Sequence, residues 1–359
     1  MQPRADVERR KSHAPFFSIC IPQYNRTSFL LEACRSLTAQ QFTDFEVCIS
    51  DDCSTDGRSG ELIRFLEQSG LAFAYRRQAA NLRYDGNLRT AIALAQGQYA
   101  FLLGNDDGLA SNDVLDRLHA HLIEHPADVV ITNYADYSTG QPYRRVPRTG
   151  LVGHGPRVAM AAFRNFSFVS GVIFRTEGAQ PFATNRWDGS EMYQMFLGSR
   201  MIATGGTLFY VDEVAVRKDI AIPGETIDSY AARPRLDPCP IVERKLPLVD
   251  LGRLVADALE PGESAFAHRH SIEMIFRQLY LFTFPFWIVE YRRVQTWRYA
   301  LGVCLGLRPR NSLAGLVLPL GTRLRLTVLF WTSAVAALLV PQRLVDRLQS
   351  RLYRVAKAT

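Results

Sequence analysis

Four polar runs in this 359-residue chain carry side chains suited to a charged ligand. Asn105-Asp106-Asp107 follows the apolar stretch Tyr99-Ala100-Phe101-Leu102-Leu103. Two adjacent carboxylates at such a place repel each other unless a cation sits there. A hard divalent ion bridging carboxylate and diphosphate oxygens supplies that cation. Three other runs stand in the equivalent position, just after an apolar stretch: Pro22-Gln23-Tyr24-Asn25-Arg26, Asp51-Asp52-Cys53-Ser54-Thr55-Asp56-Gly57, and Asn81-Leu82-Arg83-Tyr84-Asp85-Gly86-Asn87. Any one alone reads as a turn or a helix N-cap. Their convergence on one edge of a sheet carries the functional reading.

The elements that must position these runs follow from hydrophobic period. Strands are predicted over 17–21, 45–49, 72–75, 99–103 and 128–132. Helices are predicted between them over 28–40, 60–68, 87–95 and 113–123, with Leu30, Leu31, Cys34 and Leu37 sharing one face of the first. Strand-helix units of this kind imply an α/β fold with a doubly wound, mostly parallel sheet. Ligands of such a sheet bind beyond the carboxyl ends of the strands, where strand order reverses. Past Pro142 the pattern predicts a strand over 169–174, a helix over 191–203 and a strand over 207–211. Past Pro234 it becomes apolar helices broken by Pro and Gly.

Together these runs resemble the family 2 glycosyltransferases, which have the GT-A fold. Ser18-Ile19-Cys20-Ile21-Pro22-Gln23-Tyr24-Asn25 is similar to their opening strand and P-x-Y-N turn. Ile49-Ser50-Asp51-Asp52-Cys53-Ser54-Thr55-Asp56 resembles their nucleoside-binding loop, with Cys53 where Gly is usual. Asn81 to Asn87 resembles the segment leading to the D-x-D strand, and Leu103-Gly104-Asn105-Asp106-Asp107 resembles the D-x-D motif, with Asn105 for its first carboxylate. The family often has Arg just before the position of Asn87, where this chain has Gly86, so its role at the phosphates passes to Arg83 or Arg89 or is absent.

The resemblance covers about residues 16–215 and is of the bacterial surface-polysaccharide type. It implies a GT-A-like domain over 16–235, with a nucleotide-sugar half (16–132) and an acceptor half (133–235). A nucleotide-diphosphate sugar is the implied donor, held by Pro22, Tyr24, Asn25, Asp51, Asp52, Asn81, Arg83, Asn87, Asn105 and Asp106. Mg²⁺ or Mn²⁺ is implied at Asp106 and Asp107, neutralising charge on the leaving diphosphate. A carboxylate takes the proton of an acceptor hydroxyl that attacks the anomeric carbon from the opposite face, which inverts the centre. The family's base lies at a helix start about 85 residues after the D-x-D, where this chain has Trp187-Asp188-Gly189-Ser190-Glu191-Met192. Glu191 is the first choice and Asp188 the second, because Met192 replaces the Asp of the family's pair. A capping carboxylate is the competing role for either residue.

Net charge is +7, unevenly spread: 12 Lys/Arg against 2 Asp/Glu from Glu290 to the end leave the rest of the chain at −3. A mildly acidic body with a basic, apolar tail points to an anionic membrane surface and away from nucleic acid. The apolar runs 275–289 and 327–340 are shorter than the roughly 20 residues a helical span needs and meet Pro285 and Pro341. From 342 to 357, Leu344, Leu348, Leu352 and Val355 share one helical face and Arg343, Arg347, Arg351 and Arg354 another. The region 236–359 is therefore expected to be helical and to lie in a membrane interface, or else to pack on the catalytic domain or on a second copy in a homo-oligomer. A glycan or lipid-linked glycan is the expected acceptor, at the inner face of the cell membrane.

The six cysteines show no metal-ligand spacing and read as reduced thiols in a cytoplasmic setting. Residues 1–15 are polar, without the apolar core of a signal peptide, and read as a loose tail. A dinucleotide-dependent oxidoreductase requires Gly-x-Gly-x-x-Gly after the first strand, which the chain lacks. A sugar-nucleotide-binding subunit without catalysis, scaffolding a membrane complex, is the remaining alternative.

Overall fold

The computed structural model describes residues 6–225, 247–294, 296–341 and 343–344. The chain divides into two compact units, residues 1–158 with 164–227 and residues 159–163 with 228–359.

The first unit is built on one mixed sheet. Strand β1 is Asp6–Arg9 and β2 is Phe17–Gln23, followed by helix α1, Thr27–Thr38. Then come β3 (Phe45–Asp51), α2 (Ser59–Gln68), β4 (Ala72–Arg77), α3 (Arg83–Ala93) and β5 (Tyr99–Leu102). The short β6 (Gly108–Leu109) leads to α4 (Val114–Glu124) and β7 (Val129–Asp136). Strands β8 (Pro142–Tyr143) and β9 (Gly150–Gly153), helix α5 (Pro156–Ala162), strand β10 (Val172–Arg175) and helix α6 (Thr176–Ala179) precede α7 (Tyr193–Ala203) and β11 (Leu208–Lys218).

Strand order is β1-β4-β3-β2-β5-β10-β7-β11-β6, with β8 on β7 and β9 on β11. Strands β4, β3, β2 and β5 are parallel, so the five predicted strands form and the doubly wound centre is as expected. The chain steps outward from β2 to β3 and β4, then returns to the other side of β2 as β5. Order therefore reverses between β2 and β5, and the loops after these two strands face each other there. One feature has no counterpart in the period: β10 inserts antiparallel between β5 and β7.

Both sheet faces are buried, which is why β2 and β3 are mostly apolar and every residue of each is buried. Phe17, Ile19, Val47, Ile49 and Phe101 pack with Leu30, Leu37, Leu115 and Leu118 from the flanking helices. Polar side chains within these strands are paired: the buried Glu46 carboxylate accepts from Ser18 Oγ at 2.7 Å and from the Gln96 amide at 2.8 Å.

Residues 6–9, expected as part of a loose tail, instead form β1 antiparallel to β4. Long-range polar contacts draw the segment in. Arg9 Nε donates to the Leu71 carbonyl at 2.9 Å, and Arg10 reaches the buried Glu46 at 2.6 Å. The five described cysteines are free, and all but Cys53 are buried; Cys239 lies outside the described residues.

The second unit is helical. It holds α8 (Leu251–Leu259), α9 (Ala265–Gln278), α10 (Phe284–Val294), α11 (Trp297–Leu307), the four-residue α12 (Pro309–Ser312) and α13 (Leu320–Leu339). The expectation that its apolar runs are too short to span is corrected. Residues 265–293 form one continuous helical stretch, and α13 has 20 residues. A π-helical turn at Leu279–Thr283 stands where Pro285 would clash with the carbonyl four residues back, so the helix carries on through the proline. By length and composition both stretches are long and apolar enough to cross a membrane, and the first is nearly half buried within the chain, as core helices are. The amphipathic segment 342–357 lies outside the described residues except for Arg343 and Leu344.

Candidate active site

The loop after β2 turns through two left-handed residues, Asn25 (φ 51°) and Arg26 (φ 56°). Asn25 Oδ1 accepts from the amides of Thr55 at 2.7 Å and Asp56 at 3.2 Å, and its own amide donates to Ser54 Oγ at 2.8 Å. Asp56 in turn accepts from the Thr27 hydroxyl at 2.6 Å and amide at 3.2 Å, which serves the start of α1. The loops after β2 and β3 are thus locked together. Pro22 is buried, while Tyr24 is exposed beside them.

Asp51 is buried and fully occupied. It accepts from the Ser54 amide at 2.8 Å, Ser59 Oγ at 3.1 Å and the Tyr75 hydroxyl at 2.5 Å, with Arg77 at 3.4 Å. Its observed work is to shape the loop. Asp52 accepts from the Leu82 amide at 2.5 Å, tying this loop to the one after β4, and burial raises its pKa. Cys53, where the family has Gly, has φ 63°. That left-handed backbone accounts for the family's glycine. Asn81 is exposed and accepts from the Arg83 amide at 3.0 Å; Arg83 is exposed, with φ 60°.

Asn87 Nδ2 donates to the Gln23 carbonyl at 3.0 Å, while its buried Oδ1 has no partner in the structure. Asn105 Nδ2 donates to Gln23 Oε1 at 2.7 Å across the β2/β5 switch point. The Asn therefore fits its place by serving as a donor, which a carboxylate there could not do.

Asp106 forms an ion pair with Arg26, whose partner is 80 residues away in the chain. Asp107 is buried; one oxygen accepts from Ser170 Oγ and the other from the Asp219 amide at 3.0 Å. Burial, with Asp106 beside it, pushes the Asp107 carboxyl up to about 8. Burial raises Asp106 too, against the opposing pull of Arg26. A methyl on Gly104 would stand 2.9 Å from Asp107 Oδ2 and 3.2 Å from Asp106 Oδ1, so the two carboxylates turn toward one small space that a side chain would fill. A cation there would offset their repulsion, and the donor set, two hard oxygens, suits Mg²⁺ or Mn²⁺. Among the described residues no three His, Cys, Asp or Glu side chains gather as a metal cluster, so the remaining ligands would come from elsewhere.

Asp188 and Glu191 sit in the loop that leads into α7. Asp188 accepts a two-pronged ion pair from Arg89, at 2.6 and 2.9 Å. Arg89, one of the two arginines left for the phosphates, is thereby committed to Asp188. Gly86 packs beside this pair; a methyl there would press on Leu82 Cβ at 2.9 Å. Glu191 has φ 59°. This left-handed backbone is held by Asp85, whose carboxylate accepts from the amides of Gly189 at 2.8 Å, Glu191 at 2.9 Å and Tyr193 at 3.0 Å. Asp85 thus positions the α7 entry from more than 100 residues away. All six described non-glycine residues with positive φ, namely Asn25, Arg26, Cys53, Arg83, Glu191 and Asp219, lie in the loops of this site. Such strain concentrates where surrounding structure holds a site in shape.

Tyr84 ties the halves together. Its hydroxyl donates to Gln194 Oε1 at 3.1 Å. Burial pushes it well above its ordinary pKa, and Asp85, Glu191 and Asp107 push it further the same way.

The acidic turn has a deeper support. Arg145 is wholly buried, and its guanidinium donates to the carbonyls of Thr132 at 2.5 Å, Phe168 at 2.5 Å, Ser170 at 2.6 Å and Asn165 at 3.2 Å, beside the packed rings of Tyr134 and Phe168. Ser170 then meets both Asp107 and the Gly104 amide, the latter at 2.8 Å. Arg145→Leu leaves these carbonyls without their donor and is expected to cost about 3 kcal/mol or more, read as a drop in the urea midpoint. Arg145→Lys is expected to cost less, since it restores the charge without the planar fork.

Arg26, Tyr84, Asp85, Arg145, Ser170 and Asp219 are the site residues that sequence reasoning missed. Arg26, Tyr84, Asp85 and Ser170 stand inside runs singled out above, so a search for polar groups within those runs finds them. Nothing in the sequence signals Arg145. Beyond the acidic turn, Arg217 is exposed, and Lys218 contacts Asp219 at 2.5 Å.

A reversed-order parallel sheet with polar loops at its carboxyl edge, an inserted antiparallel strand and a carboxylate-bearing loop leading into α7 define a GT-A-like fold. Residues 18–180 match the family model Glycosyl transferase family 2, and the domain that contains them belongs to that family. The abequosyltransferase RfbV of Salmonella typhimurium (strain LT2) is 37% identical over 116 residues, which cover 32% of this chain and 34% of that protein. The poly(ribitol-phosphate) β-N-acetylglucosaminyltransferase TarS of Staphylococcus aureus is 28% identical over 164 residues, 45% of this chain and 27% of its own. The chain thus spans about a third or less of the length of these two relatives. The crystal structure of S. aureus TarS 1–349 in complex with UDP superposes with a TM-score of 0.59 at 16% identity, covering 89% of this chain and 90% of that one. The mannosyltransferase PcManGT from Pyrobaculum calidifontis, in complex with GDP-Man and Mn²⁺, gives 0.50 at 17% identity over 99% and 90%.

Proposed function

We propose that the protein is an inverting, metal-dependent glycosyltransferase that moves a sugar from a nucleotide-diphosphate donor to a hydroxyl of a glycan or lipid-linked glycan, in cell-surface polysaccharide synthesis. The observation that carries this is the pair Asp106 and Asp107, turned toward one small space beside Gly104 just past the end of β5. Relatives named for abequosyl transfer and for N-acetylglucosaminyl transfer to poly(ribitol-phosphate), and similar folds solved with UDP or with GDP-Man and Mn²⁺, support the donor class.

In this reading the exposed Tyr24, Asn81 and Arg83 flank the nucleoside, on loops shaped by Pro22, Asn25, Asp51 and Asp52. Asn105 and Asn87 brace the switch point, and the unpartnered Asn87 Oδ1 is available to a donor hydroxyl. Asp106 and Asp107 hold Mg²⁺ or Mn²⁺, which supplies charge neutralisation at the leaving diphosphate when bound. Arg26 adds a fixed positive charge at the same place. Glu191 removes the acceptor proton. Asp188, paired with Arg89, holds the loop that presents Glu191. The working place is the inner face of the cell membrane, with the helical unit as the membrane-facing part.

A thermal-shift screen of UDP-, GDP-, CDP- and dTDP-sugars with Mn²⁺ tests the donor, since one ligand that binds the folded state raises the melting temperature by mass action. Transfer or donor hydrolysis is then measured with that sugar. A binding-only subunit shows the shift without turnover; no shift with any donor overturns both readings.

A pH dependence follows from Asp107. Its folded-state pKa of about 8 lies above the ordinary carboxyl value, so the metal-free protein holds a proton there at neutral pH. Metal must displace that proton. Mn²⁺ affinity is expected to rise as pH goes from 6 to about 8 and then level off, with proton release seen by calorimetry in buffers of different ionisation heat. For the metal-free protein the sign is opposite: stability is greatest below the unfolded carboxyl pKa and is lost as pH rises toward 8.

A further inference from the structure

On the second unit an open cleft of about 410 Å³ is lined by Arg308, Pro309, Arg310, Arg323, Thr327 and Trp331. Half of the lining is arginine and none of it is acidic. Arg308 Nε is a buried N–H without a partner, Arg310 is exposed, and Arg323 directs one N–H to the Leu316 carbonyl at 2.9 Å. Neighbouring arginines differ: Arg325 pairs with Glu273 and Arg293 with Glu290. Three arginines lining an open space, with no ion pair to a carboxylate among the described residues, suit an anion with several oxygens, above all a phosphate.

Beside the cleft runs an exposed apolar stripe. Leu320, Leu324, Val328, Trp331, Val335 and Leu339 recur every three or four residues along α13, so they share one helical face, and all are exposed, from 38% to 83%. Trp331 belongs to both features, joining the stripe to the arginines. An indole between an apolar surface and a charged one is the arrangement of a membrane-interface residue. Arg323 and Thr327 lie on the flank of the stripe, where a helix lying in the interface meets headgroups. Charge argues against the other occupants. A second copy would bring its own arginines to the cleft. The chain beyond 342 is itself basic, with Arg343, Arg347, Arg351, Arg354 and Lys357 against Asp346.

We propose that this cleft seats the phosphate headgroup of an anionic phospholipid while the α13 stripe lies in the acyl boundary, fixing the protein on the membrane surface. This rests on the peripheral location proposed above and adds to it a lipid class and a seat.

The test uses the full chain and no sugar donor. Flotation is measured with vesicles of phosphatidylcholine alone and of phosphatidylcholine with phosphatidylglycerol. Preferential binding to the anionic vesicles, weakened by salt, is expected. Arg308→Gln, Arg310→Gln and Arg323→Gln combined are expected to reduce it on the order of 100-fold, about fivefold for each arginine. Leu324→Ser with Val328→Ser is expected to weaken binding to both vesicle types. Circular dichroism and a melting temperature matching the parent's verify that each variant is folded.

Equal binding to both vesicle types overturns the headgroup seat and leaves the peripheral location standing. Binding to neither overturns both, as does concentration-dependent self-association that Leu324→Ser abolishes without any vesicle binding. Unchanged anionic-vesicle binding in the triple variant overturns the seat. So does a thermal shift by free inorganic phosphate that the triple variant loses while its vesicle binding persists.

Discussion

Asp107→Asn is expected to reduce sugar transfer about a thousandfold, because it removes half of the anionic charge available to a divalent ion at the leaving group. The change is nearly isosteric. The amide oxygen can still accept from the Asp219 amide, and the amide nitrogen can donate to Ser170 Oγ, so the turn keeps its bonds. It also relieves a conflict. Burial and the adjacent Asp106 disfavour the charged form of Asp107 in the metal-free protein. At pH 8.5, without metal, the variant is therefore expected to melt higher than the parent, while the Mn²⁺-dependent shift with donor disappears. A variant that loses activity by misfolding would melt lower. Retained activity and retained Mn²⁺ dependence would move the metal role to Asp106 alone.

The second large effect is at the α7 entry. Glu191→Gln is expected to lower turnover by about a thousandfold, within the range that general bases contribute, with donor-induced thermal shift intact. Asp188→Asn is expected to have a smaller effect on turnover, since its carboxylate is paired with Arg89 and acts through the loop. The two are separated by the pH profile: loss of a base removes the acid-side limb, whereas loosening the loop lowers the rate without moving the limb. If Asp188→Asn removes the limb and Glu191→Gln does not, the base is Asp188. Asp85 offers a control. Its three amide partners hold Glu191 in left-handed backbone, so Asp85→Ala is expected to impair turnover through position while leaving the base itself present.

Much of the first unit was legible in the sequence. Apolar runs such as Phe45 to Ile49 are buried on both faces, and that continuous burial is what makes a central parallel strand readable without a structure. The polar loops were legible for a related reason: a doubly wound sheet places the residue after each parallel strand at one edge. The helical unit was read less well. The apolar run was counted over 275–289 and read as interrupted at Pro285, whereas a π turn carries the backbone through it and joins α9 to α10.

From the sequence alone, then, came the strands, their loops and the acidic turn, because local period and local chemistry write these within a few residues. Tertiary structure alone decided the working relations among them. It set β10 antiparallel between β5 and β7. It paired Arg26 with Asp106, seated Asp107 on Ser170 under Arg145, and joined Asp85 to the entry of α7. It also showed that Asn105, which looked like a missing carboxylate, is a donor to Gln23 across the switch point. Each is a contact between residues tens to a hundred positions apart. Such a contact rests on one hydrogen bond or ion pair and has no period, so only the folded chain reveals it.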